Sequence, residues 1–357
     1  MKQREFARLA ERLLRCPAAP YHEELTRAAA EEICREHGLP FKRDRWGNVF
    51  VRYQSVKNHR PLVLAAHLDH PGFEVVRALG PKRWHARFLG GVGKNYFRRG
   101  VPVRLMPGAV SAKLGRPLRK EKEFEIIGRE STAVRPEFAV WELEDFAFRD
   151  GRIHGRVCDD LIGCAAILAT LIELKRTRAK ANVIGLLSRA EEVGFQGALA
   201  VAEEGSLSKN ALVVSLETSR ELPPVKMGQG MIVRVGDRSS IFDSAGTRFL
   251  TEVAAAIQTR DAKFKYQRAL MSGGTCEATA FQEYGYQTAA VCVALGNYHN
   301  CGANDRIKAE FVDANDALGM VRVLVEAAKS MPRYDTLVGR LPVRLRKLAR
   351  EGQRRLR

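Results

Sequence analysis

Two adjacent carboxylates, Glu191 and Glu192, follow the apolar run 182–188 and precede a helix-like segment beginning near Phe195. Charge at the carboxyl end of a buried strand is where open α/β sheets build reactive sites. In such a pair one carboxylate can hold a metal while its neighbour accepts a proton. Four further positions share this setting. His67 ends the apolar stretch 61–66 and has Asp69 two residues on, Asp159 stands beside Asp160, Glu217 closes Leu-Val-Val-Ser-Leu-Glu, and His299 follows the run around Val293. One imidazole and one carboxylate per ion, with a further carboxylate shared, build a paired divalent site whose ions typically lie roughly 3.5–4 Å apart. Each residue alone has a plainer reading. A histidine after a strand is commonly a core or surface residue, Glu217 can simply solvate a strand end, and Asp-Asp before a helix is commonly an N-cap. Here Asp160 is expected to cap the helix starting at Leu161, leaving Asp159 free to point elsewhere. The succession of such residues, each after an apolar run, is what points to chemistry.

The elements that must position them alternate. Residues 2–15 and 22–37 have helical periodicity, with Gly38 at a C-cap position, and 41–53 reads as a hairpin turning near Gly47-Asn48. Residues 61–66 are a continuous apolar strand of the buried type. From Phe73 to about Gly155 helical periodicity nearly vanishes and short alternating strands take over, which predicts a β-rich insertion, a compact barrel, with 113–122 as an exposed charged loop. The α/β rhythm then resumes: helix 161–175, strand 182–188, helix 197–204, strand 211–216, helices 245–258 and 275–283, strand 288–294 and a closing helix over 310–329. The expected fold is α/β, a mainly parallel sheet covered by helices on both faces, with a small inserted β-barrel. The expected division is 1–72 plus 156–339 for the catalytic α/β domain, 73–155 for the insertion and 340–357 for a basic tail.

The 357 residues are 45% hydrophobic, enough for a normal core and against wholesale disorder. Seven scattered cysteines without a C-x-x-C pair read as reduced thiols of a cytoplasmic protein. The first residues form a charged amphipathic stretch rather than a signal peptide's apolar core, and no run is long enough to span a bilayer, so no membrane partner is expected. The net charge of +18 is compatible with nucleic acid, an anionic surface or an acidic substrate. The excess is spread along the chain with one concentration at its end, 340–357, where eight Arg/Lys face one Glu. The favoured reading of that tail is a solvated, partly helical extension. An anion-binding role is the alternative.

The segments AAHLDHPGFEV, GRVCDDLIGCAA, LLSRAEEVGFQGA, LVVSLET, SGGTCEA and NYHN occur in that order. Together they resemble the co-catalytic zinc exopeptidases, in particular the glutamyl/tetrahedral aminopeptidase family, over roughly 15–335. That family inserts a small β-barrel after its H-x-D motif, where this chain has its β-rich stretch. Related carboxypeptidases and deacylases instead insert a lid between their last two ligands, and the 81 residues between Glu217 and His299 are too few for one. The resemblance implies two divalent ions, zinc with cobalt or manganese as alternatives. By it, His67, Asp159, Glu192, Glu217 and His299 are metal ligands with Asp159 bridging, Asp69 orients His67, and Glu191 is the general base. The implied reaction removes N-terminal residues from peptides through a metal-bridged hydroxide, by a protein that forms homo-oligomers. Departures from the family pattern at Leu161, Glu217, Cys276 and Asn297-Tyr298-His299-Asn300 leave the ligand set intact. Glu217 is similar to carboxypeptidase and deacylase members of the wider clan, so cleavage from the carboxyl end or removal of an N-acyl group is the alternative on the same site. A non-catalytic nucleic-acid-binding protein is a further alternative, resting on charge alone, since no nucleic-acid motif is present.

Overall fold

The computed structural model describes residues 1–56, 59–131 and 134–356. Two helices, α1 (Gln3–Leu14) and α2 (Glu24–Glu36), precede the hairpin β1 (Phe41–Arg43) and β2 (Val49–Gln54), and then β3 (Leu62–His67). Six strands follow: β4 (Gly72–Gly80), β5 (Arg83–Leu89), β6 (Pro102–Met106), β7 (Val110–Pro117), β8 (Glu123–Gly128) and β9 (Phe138–Trp141). They close into a barrel in the order β4-β5-β8-β7-β6-β9. Its interior is aromatic. Phe73 packs edge-on against Phe88 and Trp141 at centroid separations of 4.9 and 5.0 Å, and Phe97 stacks on Phe124 at 4.7 Å, offset geometries that aromatic quadrupoles favour.

The chain re-enters the main sheet through β10 (Ala147–Arg149) and β11 (Arg152–Gly155), then continues through α3 (Leu161–Arg176), β12 (Asn182–Ser188), α4 (Gln196–Glu203), β13 (Leu212–Arg220), β14 (Met231–Gly236), α5 (Ser244–Arg260), β15 (Tyr266–Leu270), α6 (Glu277–Glu283) and β16 (Gln287–Gly296). A two-residue pair, β17 (Cys301–Gly302) and β18 (Arg306–Ile307), leads to β19 (Glu310–Asp313), α7 (Ala314–Ser330) and α8 (Tyr334–Leu356). The sheet of eleven strands has the parallel strands β12, β3, β13 and β16 at its centre, as the apolar runs predict, and is mixed overall because β2, β14, β19, β11 and β10 add antiparallel pairs. Helices cover both faces, and β3 shows how. Leu62, Leu64 and Ala66 point into the large core under α1, α3, α5 and α7, while Val63 and Ala65 point to the opposite core under α4 and α6, the period-2 alternation of a strand buried on both sides.

Four local expectations change. Residues 310–313 are strand, because Asp313 caps α7 by accepting from Asn315 N at 2.8 Å and Asp316 N at 3.1 Å; the helix begins only at Ala314. Much of the stretch expected as a charged loop, 113–117, is the end of β7, whose exposed lysine and arginine face solvent. Residues 147–155 belong to the main sheet rather than to the barrel, β11 pairing with β19 and β10 with β11. β14 is a strand that the periodicity hides, because a buried arginine, Arg234, interrupts its apolar run.

Candidate active site

Register brings the candidate residues to one level. Ser188 of β12 lies opposite His67 at the end of β3, and Ser215 of β13 opposite Ala65; two residues on, Glu217 therefore stands level with His67. His67, Asp69, Asp159 and Glu191 are buried, as are Glu217 and His299, and Glu192 stands beside them with its side chain only 6% exposed.

Both imidazoles turn the same nitrogen inward. His67 Nδ1 donates to the Asp69 carbonyl at 3.1 Å, and its Nε2 lies 3.6 Å from Asp159 Oδ1 and 3.9 Å from Glu191 Oε2. His299 Nδ1 donates to the Gly91 carbonyl at 2.5 Å, and its Nε2 lies 3.5 Å from Asp159 Oδ2 and 3.2 Å from Glu192 Oε1. A histidine whose outer nitrogen is fixed by a carbonyl presents a defined lone pair from the inner one. Gly91 follows β5, so the inserted barrel sets the orientation of a histidine delivered by the main sheet. His299 adopts a left-handed backbone, φ 54°, and its ring stacks on Tyr298 at 3.8 Å. Such strain in a non-glycine residue persists only where the surroundings hold it.

Asp159 sits between the histidines, braced from behind. Its backbone N–H donates to Glu310 Oε2 at 3.0 Å, alongside Cys158 N at 2.8 Å. Its carbonyl accepts from His70 Nδ1 at 2.8 Å, and His70 Nε2 contacts Asn300 Oδ1 at 3.0 Å. Burial lowers the His70 pKa, opposed by Glu192 and by the contact to Asn300, and both of its ring nitrogens face oxygen acceptors. Asp160 turns away and accepts from Gly163 N at 3.1 Å, capping α3 as its sequence position predicts. Glu310 and His70 escaped the sequence reading. Glu310 lies far along the chain in a stretch taken for helix, and His70, although adjacent to the H-x-D motif, has no strand-end position to mark it.

The Glu191-Glu192 turn is held from below. Asp69, fully buried, accepts from Glu191 N through Oδ1 at 2.9 Å and from Glu192 N through Oδ2 at 3.1 Å. The preceding Ala190 is left-handed, φ 52°. Its N–H donates to Glu23 Oε1 at 3.1 Å, and Glu23 Oε2 pairs with Arg189 Nε at 2.7 Å. Glu23, at the start of α2 and without solvent exposure, is a further residue that sequence reasoning missed, since an acidic residue at a helix start has an ordinary capping explanation.

The donor set fits divalent cations. Two groups of converging atoms, His67–Asp159–Glu217 and Asp159–Glu192–His299, each have all their candidate ligand atoms within 4.8 Å of one another and share Asp159; a third, His67–Glu191–Glu192, places Glu191 at their edge. Asp159 Oδ1, Glu192 Oε1 and Glu217 Oε1 are buried without hydrogen-bond partners among the described residues. Burial, partly offset by His67 and Arg234 and reinforced by Asp159 and Glu277, raises the pKa of Glu217 to about 8. Burial, opposed by His67 and reinforced by Glu217, Glu192 and Asp69, also pushes Glu191 well above the usual carboxylate range. Buried carboxylates so crowded need compensating positive charge. They line a cavity of about 240 Å³ whose far wall carries Arg220, Arg234, Met271 and Gly273 to Cys276. Arg234 is 3% exposed, its Nη1 donates to Ser219 Oγ at 3.3 Å, and its Nε has no partner among the described residues.

The fold has close counterparts among solved structures. The TET1 peptidase of Pyrococcus horikoshii, described as assembling into a tetrahedron or a large octahedral shell, superposes with a TM-score of 0.74 at 21% identity, over 92% of this chain and 99% of that one. An aminopeptidase from the archaeon Desulfurococcus kamchatkensis gives 0.74 at 20% identity, over 93% and 97%. A TET aminopeptidase from a marine sediment thaumarchaeon gives 0.76 at 19% identity, over 92% and 99%. At these identities the likeness concerns the fold. The M42 glutamyl aminopeptidase model matches residues 131–314, just over half of the sequence and the part that carries Asp159, Glu191, Glu192, Glu217 and His299. A peptide-bond hydrolase fold with a barrel inserted after its first histidine motif thus joins a direct sequence match, and the chain belongs to the M42 glutamyl aminopeptidase family.

Proposed function

We propose that the protein is a dinuclear metallo-aminopeptidase that removes N-terminal residues from peptides. The observation that carries this reading is the pair of ligand clusters sharing one carboxylate, Asp159. In it, Asp159 would be shared by both ions, with His67 and Glu217 completing one set and Glu192 and His299 the other. Two divalent cations, zinc by the nature of the donors and cobalt or manganese as substitutes, would supply Lewis-acid polarisation of the scissile carbonyl and acidify a water. Glu191 lies outside both sets that share Asp159, with its Oε2 3.9 Å from His67 Nε2. It takes the proton of the attacking water and passes it to the leaving amine. Asp69 holds Glu191 and Glu192 in place through their backbone N–H groups. Gly91 and Asp69 fix the inward nitrogens of the two histidines.

The cavity also supports a preference for an acidic N-terminal residue. Arg234 keeps an unpartnered buried Nε there, and Arg220 lies over the Tyr298 ring at 5.2 Å. A guanidinium of this kind is matched by a carboxylate. The assembly of structural relatives into tetrahedral shells leads us to expect a homo-oligomer here as well. The experiment is hydrolysis of Glu-, Leu- and Lys-anilides and of their N-acylated forms by metal-loaded protein, with Glu191→Gln as control. The reading expects free-amine substrates to turn over, Glu-anilide fastest, and the variant to keep its metal while losing about 10²–10⁴-fold in kcat. Turnover of N-acylated substrates alone would establish the deacylase alternative, and full activity in the variant would remove Glu191 from the mechanism.

A further inference from the structure

α8 starts inside the core and leaves it. Tyr334 and Leu337 are buried, and Tyr334 packs on Phe249 at 5.0 Å. Arg248 donates to the Val338 carbonyl at 3.1 Å, and Arg340 pairs with Glu252 at 3.0 Å. The apolar stripe of these docked turns does not stop there. Leu341, Leu345, Leu348 and Leu356 continue it at helical spacing on one face, yet they are 40%, 55%, 51% and 89% exposed. Arg344, Arg346, Lys347 and Arg350 lie on the remaining surface, together with the apolar Pro342, Val343 and Ala349. Residues 340–357 hold eight Arg/Lys and one Glu, a formal charge of +7 (8 − 1).

We propose that α8 beyond Leu341 is an interfacial helix that docks the protein on an anionic membrane surface. The helix asks for two things at once, an apolar layer for its leucines and negative charge beside it for its arginines. The headgroup boundary of an anionic bilayer offers both in adjoining planes. A second copy of the helix offers the first and opposes the second, since +7 would face +7. Its seam is also short: after Leu341, Leu345 and Leu348 the next positions are Gly352 and Arg355, far from the three to four apolar heptads of a coiled coil. Nucleic acid satisfies the arginines and leaves the leucines in water. No helix among the described residues is long and apolar enough to cross a membrane, so the attachment is peripheral. It is independent of the assignment of the metal site.

The test is sedimentation of the whole protein with phosphatidylcholine vesicles with and without phosphatidylserine. Binding is expected to the phosphatidylserine vesicles only and to weaken with salt. Both Leu345→Asp/Leu348→Asp and Arg344→Gln/Arg346→Gln/Lys347→Gln should reduce it by about tenfold or more while hydrolysis of a soluble anilide is unchanged, which also reports that the variants fold. Four results would overturn the proposal: no binding to either vesicle, equal binding to both, binding indifferent to the leucine variant, or a change of oligomeric mass in that variant, which would assign the stripe to a second copy. Retention of DNA or RNA that survives the leucine variant but not the arginine variant, in the absence of vesicle binding, would assign the charge to nucleic acid instead.

Discussion

Asp69→Asn separates the geometry of the Glu191-Glu192 turn from its composition. Both carboxylate oxygens of Asp69 accept a backbone N–H, from Glu191 at 2.9 Å and from Glu192 at 3.1 Å, and the side chain is fully buried. Asparagine keeps the shape and supplies one acceptor; its amide NH₂ must then face the other N–H. The loss is one charge-assisted hydrogen bond, about 1.5–3 kcal/mol, plus a buried donor left unpaired, about 1–3 kcal/mol. Part is recovered, because Asp69 is one of the charges crowding Glu191. A net destabilisation of about 2–3 kcal/mol follows. Displacing the turn misplaces Glu191 and Glu192 together, so activity should fall about 10- to 100-fold with weaker metal retention. Urea unfolding, anilide kinetics and metal content on the same preparation measure all three. Unchanged unfolding midpoint and unchanged kcat/KM would refute the claim that Asp69 holds the turn.

Three further outcomes are expected. Glu23→Gln keeps an acceptor for Tyr21 N and Ala190 N but turns an amide toward Arg189. Because the Arg189 side chain is 22% exposed, the cost should be about 2 kcal/mol rather than that of a fully buried pair, with kcat falling more than KM rises in steady-state kinetics. Gly185→Ala places a Cβ 2.5 Å from Ile167 Cγ2 and 3.2 Å from Leu171 Cδ1; overpacking should cost about 1–3 kcal/mol in denaturant melts with kcat of the folded fraction intact. Glu31 is held below the usual carboxylate range by its hydrogen bonds from Arg43, against the opposing effect of burial. Its folded-state pKa is thus depressed, so its contribution to stability is complete above its ordinary value of 4.5 and is lost as pH falls through the folded-state value. Unfolding midpoints followed through that acid range should fall less steeply in Glu31→Gln than in the parent.

Much of the fold was legible because its signals are local. β12 runs from Asn182 to Ser188 as the apolar run predicts, α3 starts at Leu161 behind the Asp160 cap, and the loss of helical periodicity after Phe73 marks the barrel strands. The candidate site was legible for a related reason. β3, which ends in His67, β13, which carries Glu217 three residues before its end, and the turns that follow strands with Glu192 and His299 bring these groups to one edge once the strands are parallel. The positioning partners were hidden because they come from elsewhere in the chain. Glu310 reaches Asp159 N across 151 residues, Glu23 reaches Ala190 N across 167, and Gly91 reaches the His299 ring across 208. Arg234 was hidden as well, since a charged residue inside a strand reads as a break until a cavity is there to receive it. The sequence by itself therefore determined the elements, their order and the inventory of reactive groups, because periodicity, capping and residue type act over a few neighbours. Only the tertiary structure decided which nitrogen each histidine presents, that Asp159 is common to both clusters, and that the stripe of α8 outruns its core, because these depend on contacts between segments that only the folded chain brings within hydrogen-bonding or packing distance.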